Sequence, residues 1–321
     1  MINYRSIADL NKVIIDHLYK IPRDIDLIVG IPRSGMLPAN LIALYLNLPY
    51  VDIYSFEHGH TYSGGERLSK INDVKKILLV DDSIHSGRAL LEAKRKLDGT
   101  EAKIVTCAVY ATNQSKNTVD IFFETVAMPR VFQWNIFHHS ILKKSCVDID
   151  GVLCLDPSSD ENDDGNNYIA FLKNATPFII PTTQIHSLVS ARLEKYRQET
   201  EMWLKAKGVQ YSNLVLLNLP SKEERQRANC HAEFKAKEYI NSDTVLFIES
   251  SASQAPQIAK LSQKPVFCVE NQTMYISRRA EVAFTFSNIL AQSGAIDILK
   301  KIARLLLPTK VYNLVKKTIK K

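Results

Sequence analysis

Ile77-Leu78-Leu79-Val80-Asp81-Asp82-Ser83-Ile84-His85-Ser86-Gly87-Arg88 decides how the first half of this chain is read. Four apolar residues in succession form a short strand buried on both faces, two adjacent carboxylates follow, and small and polar residues lead into a helical pattern from Arg88 to Lys96. In an open α/β sheet, ligands bind at the carboxyl ends of strands. Backbone N–H groups of Ile84, His85, Ser86, Gly87 and Arg88, aided by the Ser86 hydroxyl and a helix N-terminus, can hold a phosphate there. Asp81 and Asp82 can accept hydrogen bonds from vicinal hydroxyls. Phosphate beside a diol is the chemistry of a sugar phosphate.

Outward from this segment, helix and strand patterns alternate. Leu10, Val13, Ile14 and Leu18 recur at helical spacing, Leu27-Ile28-Val29 reads as a buried strand, Ala39 to Leu48 as a helix after Pro38, and Ile104 to Val109 as a further strand. Such alternation predicts a parallel α/β sheet. Upstream lies Val29-Gly30-Ile31-Pro32-Arg33-Ser34-Gly35, and between the two segments lies Thr61-Tyr62-Ser63-Gly64-Gly65-Glu66-Arg67. In this order the segments resemble type I phosphoribosyltransferases over residues 1–143. The resemblance implies 5-phosphoribosyl pyrophosphate (PRPP) as substrate. It assigns Arg33, Ser34 and Gly35 to the pyrophosphate loop, Arg67 to a flap from Tyr54 to Ile71, and Asp81, Asp82 and Ile84 to Arg88 to the ribose 5-phosphate. Ala89 departs from the family, which often has a second hydroxyl residue at that place.

A second α/β unit is expected over residues 144–275. It opens with Cys146-Val147-Asp148 and continues with strands at Ser187 to Val189, Leu214 to Leu217, Val245 to Ile248 and Val266 to Val269, and a long helix from Leu193 to Lys207. Asp148-Ile149-Asp150-Gly151 places two carboxylates just beyond the first strand. Asp-x-Asp-Gly alone is a common tetrapeptide, but here Leu188-Val189-Ser190-Ala191-Arg192, Lys235 and Glu249 follow it in order. The set resembles the haloacid dehalogenase (HAD) superfamily of phosphatases. The resemblance implies that Asp148 attacks phosphorus and that Asp150 protonates the leaving oxygen and then activates water. It further implies that Ser190 binds the phosphate and that Lys235, or alternatively Lys237, offsets its charge. Magnesium is the implied cofactor, held by Asp148, the Asp150 carbonyl and Glu249. The usual second acid is missing, since Ser250-Ser251 follow Glu249. The segment from Leu155 to Gln184 is about 30 residues, too short for a large cap with its own core, so an open site for a bulky substrate is expected.

The 321 residues are 45% hydrophobic and 23% charged, which fits two soluble globular domains and excludes wholesale disorder. The net charge of +7 is concentrated at one end. Eight of the 41 basic residues lie in 300–321, where there is no acid, leaving 33 basic against 34 acidic residues in the body. In this tail, placed at 276–321, Ile298, Leu299, Ile302, Leu305, Leu306, Val311, Leu314, Val315 and Ile319 recur at helical spacing. A basic amphipathic helix attracted to an anionic membrane surface is expected. With Tyr312 as the one aromatic residue from Ile298 to Lys321, this basic segment gives no expectation of a nucleic-acid partner. No apolar run is long enough to span a membrane, and the start lacks the apolar block of a signal peptide. The five cysteines form no close pair, so a reduced cytoplasmic protein, peripheral at the inner face of the membrane, is expected. Asp160-x-Asn162-x-Asp164-Gly165 copies half of a calcium loop, but Phe171 occupies the twelfth position, and a solvated loop is expected instead.

Together the two resemblances imply phosphoribosyl transfer followed by removal of the 5-phosphate, leaving a ribofuranosyl group. A lipid-linked glycan is the expected acceptor, as in bacterial polysaccharide-locus fusions of this kind. The alternatives are nucleobase salvage with a built-in nucleotidase, and a non-catalytic PRPP-sensing regulator.

Overall fold

The computed structural model describes residues 2–60 and 74–277. The proposed flap residues Thr61 to Arg67 and the tail beyond Ser277 lie outside these. The chain divides into two compact units after Ile136.

The first unit is a parallel sheet in the order β3-β2-β4-β5-β6, made of β2 (Leu27–Gly30), β3 (Tyr50–Asp52), β4 (Lys76–Ile84), β5 (Lys103–Ala111) and β6 (Ile121–Thr125). A separate parallel pair joins β1 (Asn3–Arg5) to β7 (Arg130–Phe132). The helices are α1 (Ile7–His17), α2 (Met36–Leu46), α3 (Ile53–Glu57) and α4 (Arg88–Lys96). Ser6 and Asp9 form a reciprocal capping box that starts α1. Both faces of the sheet are covered, with Leu10, Ile14, Ile42, Leu78 and Val80 in one core and Leu27, Val29, Leu79, Leu90 and Ala93 in the other. This explains why Ile77 to Val80 read as a continuous apolar run. Strand β4 does not end at Val80 as expected. It continues through Asp81 and Asp82 to Ile84 because Ser83 and Ile84 pair with Tyr110 and Ala111 on an equally long β5.

In the second unit the order is β10-β9-β8-β11-β12-β13. These are β8 (Ser145–Val147), β9 (Ile185–Leu193), β10 (Tyr211–Leu217), β11 (Leu246–Glu249), β12 (Val266–Cys268) and β13 (Thr273–Tyr275). All pairings are parallel except β12 with β13. The helices are α5 (Asn166–Asn174), α6 (Arg197–Ala206), α7 (Lys222–Ala228), α8 (His231–Asn241) and α9 (Ala255–Ser262). Strand β9 runs to Leu193, which pairs with Leu217 after a register shift, so the helix expected from Leu193 starts at Arg197 instead. The expected boundary at 143 falls inside this unit. Leu142 is buried, the Lys144 carbonyl accepts from Val245 N, and His138 bonds Thr182, so the segment from Phe137 belongs to the second sheet. Cys107 and Cys268 are buried, unpaired core residues. No described helix is long and apolar enough to cross a membrane.

Candidate functional sites

At the end of β4 in the first unit, the two carboxylates have different surroundings. Asp82 is buried and both of its oxygens are occupied: Ser34 Oγ donates to Oδ1 at 3.0 Å and Trp134 Nε1 to Oδ2 at 2.8 Å. Asp81 is half-buried, and its Oδ1 accepts from the Asp82 backbone N–H at 2.9 Å. Burial, with Asp82 beside it, pushes the Asp81 carboxyl up to about 8. The carboxylates are therefore not an equivalent pair waiting for a diol. Asp82 ties the pyrophosphate-type loop to β4 through Ser34, and Asp81 is the more open acceptor.

Gly35 is fixed by close packing. A Cβ there would lie 2.5 Å from the Ile31 carbonyl oxygen, 2.8 Å from that of Val80 and 3.1 Å from Asp81 Cα. Only glycine lets the loop approach the strand end this closely. Arg33, on the loop after β2, and His85, Ser86 and Arg88, after β4, are exposed. Arg67 lies outside the described residues. Sequence reasoning missed Trp134, whose indole holds Asp82, and Ser115, whose hydroxyl donates to the Ile84 carbonyl at 2.9 Å. Neither carries a local motif.

In the second unit, the central strand β8 delivers Asp148 into a pocket of about 170 Å³ shared with Asp150, Asp156, Asn162, Ser190, Arg225, His231, Lys235 and Gln254. Lys235 Nζ donates to Asp148 Oδ2 at 2.6 Å, to Glu249 Oε2 at 2.8 Å and to Gln254 Oε1 at 3.2 Å. Lys235 is 2% exposed, whereas Lys237 points to solvent, so Lys235 is the lysine that meets the carboxylates. Neighbouring strands bring buried Ser190 and Glu249 to the same pole of the sheet. Burial pushes the Asp148 carboxyl up against the pull of Lys235. For Lys235, burial opposes the charge, and the two carboxylates more than compensate, holding its ammonium above the ordinary range.

Asp150 faces Arg192, a residue not singled out from the sequence. Arg192 Nη2 donates to Asp150 Oδ1 at 2.6 Å, and Nε lies 3.2 and 3.1 Å from the two oxygens. Burial would raise the Asp150 carboxyl, but the guanidinium outweighs it and leaves that carboxyl below its usual range. A signal was available: Arg192 stands two residues after Ser190 on one strand, and period two places both on one face. Gly151 has φ +70°, and a Cβ there would come within 2.5 Å of Ser250 Cβ and 2.9 Å of Asp156 Oδ2.

Among the described residues, no three His, Cys, Asp or Glu side chains converge as a metal site. The implied magnesium set nevertheless fits to a limited extent. Two buried carboxylates, Asp148 and Glu249, share one buried ammonium, which leaves an excess negative charge for a cation to neutralise. The Asp150 side chain is committed to Arg192, so that residue can offer only its carbonyl. The calcium-like stretch is a structural knot in which Asp164 accepts from Lys195 Nζ, Tyr196 OH and the Lys222 N–H.

Residues 2–141 match the family described as the phosphoribosyl transferase domain. The xanthine-guanine phosphoribosyltransferase of Chromohalobacter salexigens is 38% identical over 112 residues, which is 33% of this chain and 65% of that protein's length. A purine phosphoribosyltransferase from Pyrococcus horikoshii is a similar solved structure, 20% identical over 41% of this chain and 92% of its own, with a TM-score of 0.32. The xanthine-guanine-hypoxanthine phosphoribosyltransferase of Helicobacter pylori is 20% identical over 42% and 93% of the two chains, with a TM-score of 0.32. Over residues 2–141 the chain is thus similar to phosphoribosyltransferases.

Proposed function

We propose that this chain builds a ribofuranosyl group in two steps, transferring the 5-phosphoribosyl group of PRPP to a glycan hydroxyl and then removing the 5-phosphate. The observation that carries this reading is a small pocket that brings Asp148, Ser190 and Lys235 together, with buried Glu249 joined to it through Lys235, in the same chain as a segment that matches the phosphoribosyl transferase domain family.

In the first step the acceptor oxygen bonds to C1 of the ribose as pyrophosphate leaves. Asp81 accepts from the ribose hydroxyls, the turn from Ile84 to Arg88 binds the 5-phosphate, and the loop with Arg33, Ser34 and Gly35 takes the pyrophosphate. In the second step Asp148 attacks phosphorus, the sugar oxygen leaves, and water then hydrolyses the aspartyl phosphate. Ser190 and Lys235 hold the phosphate oxygens. Asp150 is the proton-transfer group of this reading, and Arg192 fixes the direction of its carboxylate. Magnesium, held by Asp148, the Asp150 carbonyl and Glu249, would offset negative charge on the phosphate.

The 5-phosphate is the handle gripped by the first site, so its removal afterwards makes the transfer irreversible. The basic segment from Ile298 to Lys321 favours a lipid-linked acceptor at an anionic membrane surface. Cosedimentation with anionic vesicles, compared between the full chain and one ending at Gly294, checks that part. A second reading is favoured by the likeness to xanthine-guanine phosphoribosyltransferase: a nucleobase acceptor, giving a nucleotide and then a nucleoside.

Incubation with PRPP, magnesium and either nucleobases or glycan acceptors, followed by mass spectrometry, separates the readings. The Asp148→Asn variant should stop halfway, with an acceptor increment of about 212 Da in place of about 132 Da by formula, because the carboxylate for covalent catalysis is gone. Full dephosphorylation by that variant would overturn the second step. A product from nucleobases alone would overturn the glycan acceptor.

A further inference from the structure

The first unit contains a buried cation that neither proposed step has used. Arg130 opens β7 and is 6% exposed. Its Nη2 donates to the Ile84 carbonyl at 3.0 Å, the same oxygen that accepts from Ser115 Oγ at 2.9 Å. The last residue of β4 is therefore tethered twice, immediately before the turn that would hold the 5-phosphate. The Arg130 guanidinium carbon stands 5.4 Å from the centre of the Phe132 ring. That ring stacks on Trp134 at 4.8 Å, and the Trp134 indole donates to Asp82.

The other terminal nitrogen, Nη1, is buried and has no hydrogen-bond partner among the described residues. Buried polar atoms are nearly always paired, and an unpaired one calls for a specific explanation. A plain tether of the Ile84 carbonyl does not supply it, because Ser115 already bonds that oxygen and a neutral side chain would do the same work without a buried charge. The second clue is electrostatic: the Arg130 charge acts on both Asp82 and Asp81.

We propose that Arg130 is a positioning residue of the phosphoribosyl site, its Nη2 fixing the root of the phosphate turn and its guanidinium supplying a counter-charge to the carboxylates at the end of β4 when a ribose diol binds. This assignment rests on the reading of that site as a PRPP site. The largest charged influences on Asp81 are Asp82, on its own strand, and Arg130, from β7. Burial and Asp82 hold the carboxyl up, and Arg130 pulls it down. Without the guanidinium, the ionised form that accepts from the diol would appear only at higher pH.

The test is PRPP binding to the full chain by calorimetry between pH 6 and pH 9, comparing the wild type with Arg130→Met, Arg130→Lys and Ser115→Ala. Arg130→Met should weaken binding at pH 7 roughly tenfold and move the acid limb of the binding curve up by about one pH unit, these being one shift seen in two ways. Arg130→Lys should return the limb toward the wild-type position, because the charge is restored. Ser115→Ala should weaken binding without moving the limb, since it removes a tether and no charge. If Arg130→Met does not fold, Arg130→Gln, which keeps a donor for the Ile84 carbonyl, is judged by the same limb. Wild-type affinity and an unmoved limb in a folded charge-free variant would overturn the assignment, as would a loss matching that of Ser115→Ala with no movement of the limb. A wild-type protein that fails to bind PRPP would overturn the PRPP reading itself and the assignment with it.

Discussion

The Arg192 guanidinium holds the Asp150 carboxylate by a 2.6 Å hydrogen bond from Nη2 and by Nε contacts to both oxygens, while also donating to Thr200 Oγ1 at 3.3 Å. The pair fixes where the Asp150 carboxylate points. Replacing Arg192 by Met should therefore reduce hydrolysis of ribose 5-phosphate about 100-fold, the scale of general acid–base assistance, and that of 4-nitrophenyl phosphate much less. The nitrophenolate leaves with little need of a proton. Equal losses on both substrates would reduce Arg192 to a support of the fold.

Lys235 and Lys237 stand two residues apart on α8 and should behave as opposites. Lys235→Met leaves Asp148 and Glu249 buried without their cation, a change that costs about 3–5 kcal/mol when a buried pair is broken. Lys237→Met alters an exposed side chain and should stay within about 0.5 kcal/mol of the wild type. Urea denaturation followed on the second unit checks both, and phosphatase activity should be lost only in the first.

If PRPP binds through Asp81 as proposed, the raised carboxyl should link its binding to protons. In the free site the group is pushed up to about 8, so below that pH it is protonated, and binding a diol through the ionised form must release the proton. Calorimetry in buffers of different ionisation enthalpy should show proton release that approaches one per PRPP below pH 7 and fades above pH 8. The same shift gives the folded state more bound protons than the unfolded state, whose carboxyl titrates near 4. The stability of the first unit should accordingly fall as pH rises from about 4 to about 8.

Gly35→Ala places a methyl group within 2.5 Å of a carbonyl oxygen on the loop's own chain and 2.8 Å of the Val80 oxygen. Backbone must shift to admit it. Pyrophosphate release from PRPP should disappear, while hydrolysis of a simple phosphate ester by the second unit continues at the wild-type rate. Loss of both activities would mean that the substitution disturbs more than the loop.

The parts of this molecule legible in the sequence are those whose signal is local. Ile77 to Val80 announce a two-faced strand by composition alone, and Gly30 to Gly35 and Asp148 to Gly151 announce turns by their punctuation. Strand ends were misplaced where pairing extended them: β4 through two aspartates, and β9 through Arg192 to Leu193, because long neighbouring strands offer partners to residues of modest strand propensity. The contacts that tune the carboxylates were hidden for another reason. Trp134 is 52 residues from Asp82, Arg130 is 46 from Ile84, and Arg192 is 42 from Asp150, and no spacing rule connects such distances. Sequence alone leaves Lys235 and Lys237 as alternatives, and helix α8 separates them by turning one inward and the other outward.

The Trp134 indole that steadies Asp82 has an optical consequence. The chain contains two tryptophans, and the other, Trp203, is buried in the second unit with its N–H on the Ala175 carbonyl at 2.8 Å. Each unit thus carries one intrinsic fluorophore in its own surroundings. Trp134 is half-buried against a carboxylate at the end of β4, and Trp203, on α6, is buried. A Trp203→Phe protein would report by emission on the first unit alone, and a Trp134→Phe protein on the second, so that occupancy of the two sites could be followed separately in the intact chain without attaching a dye.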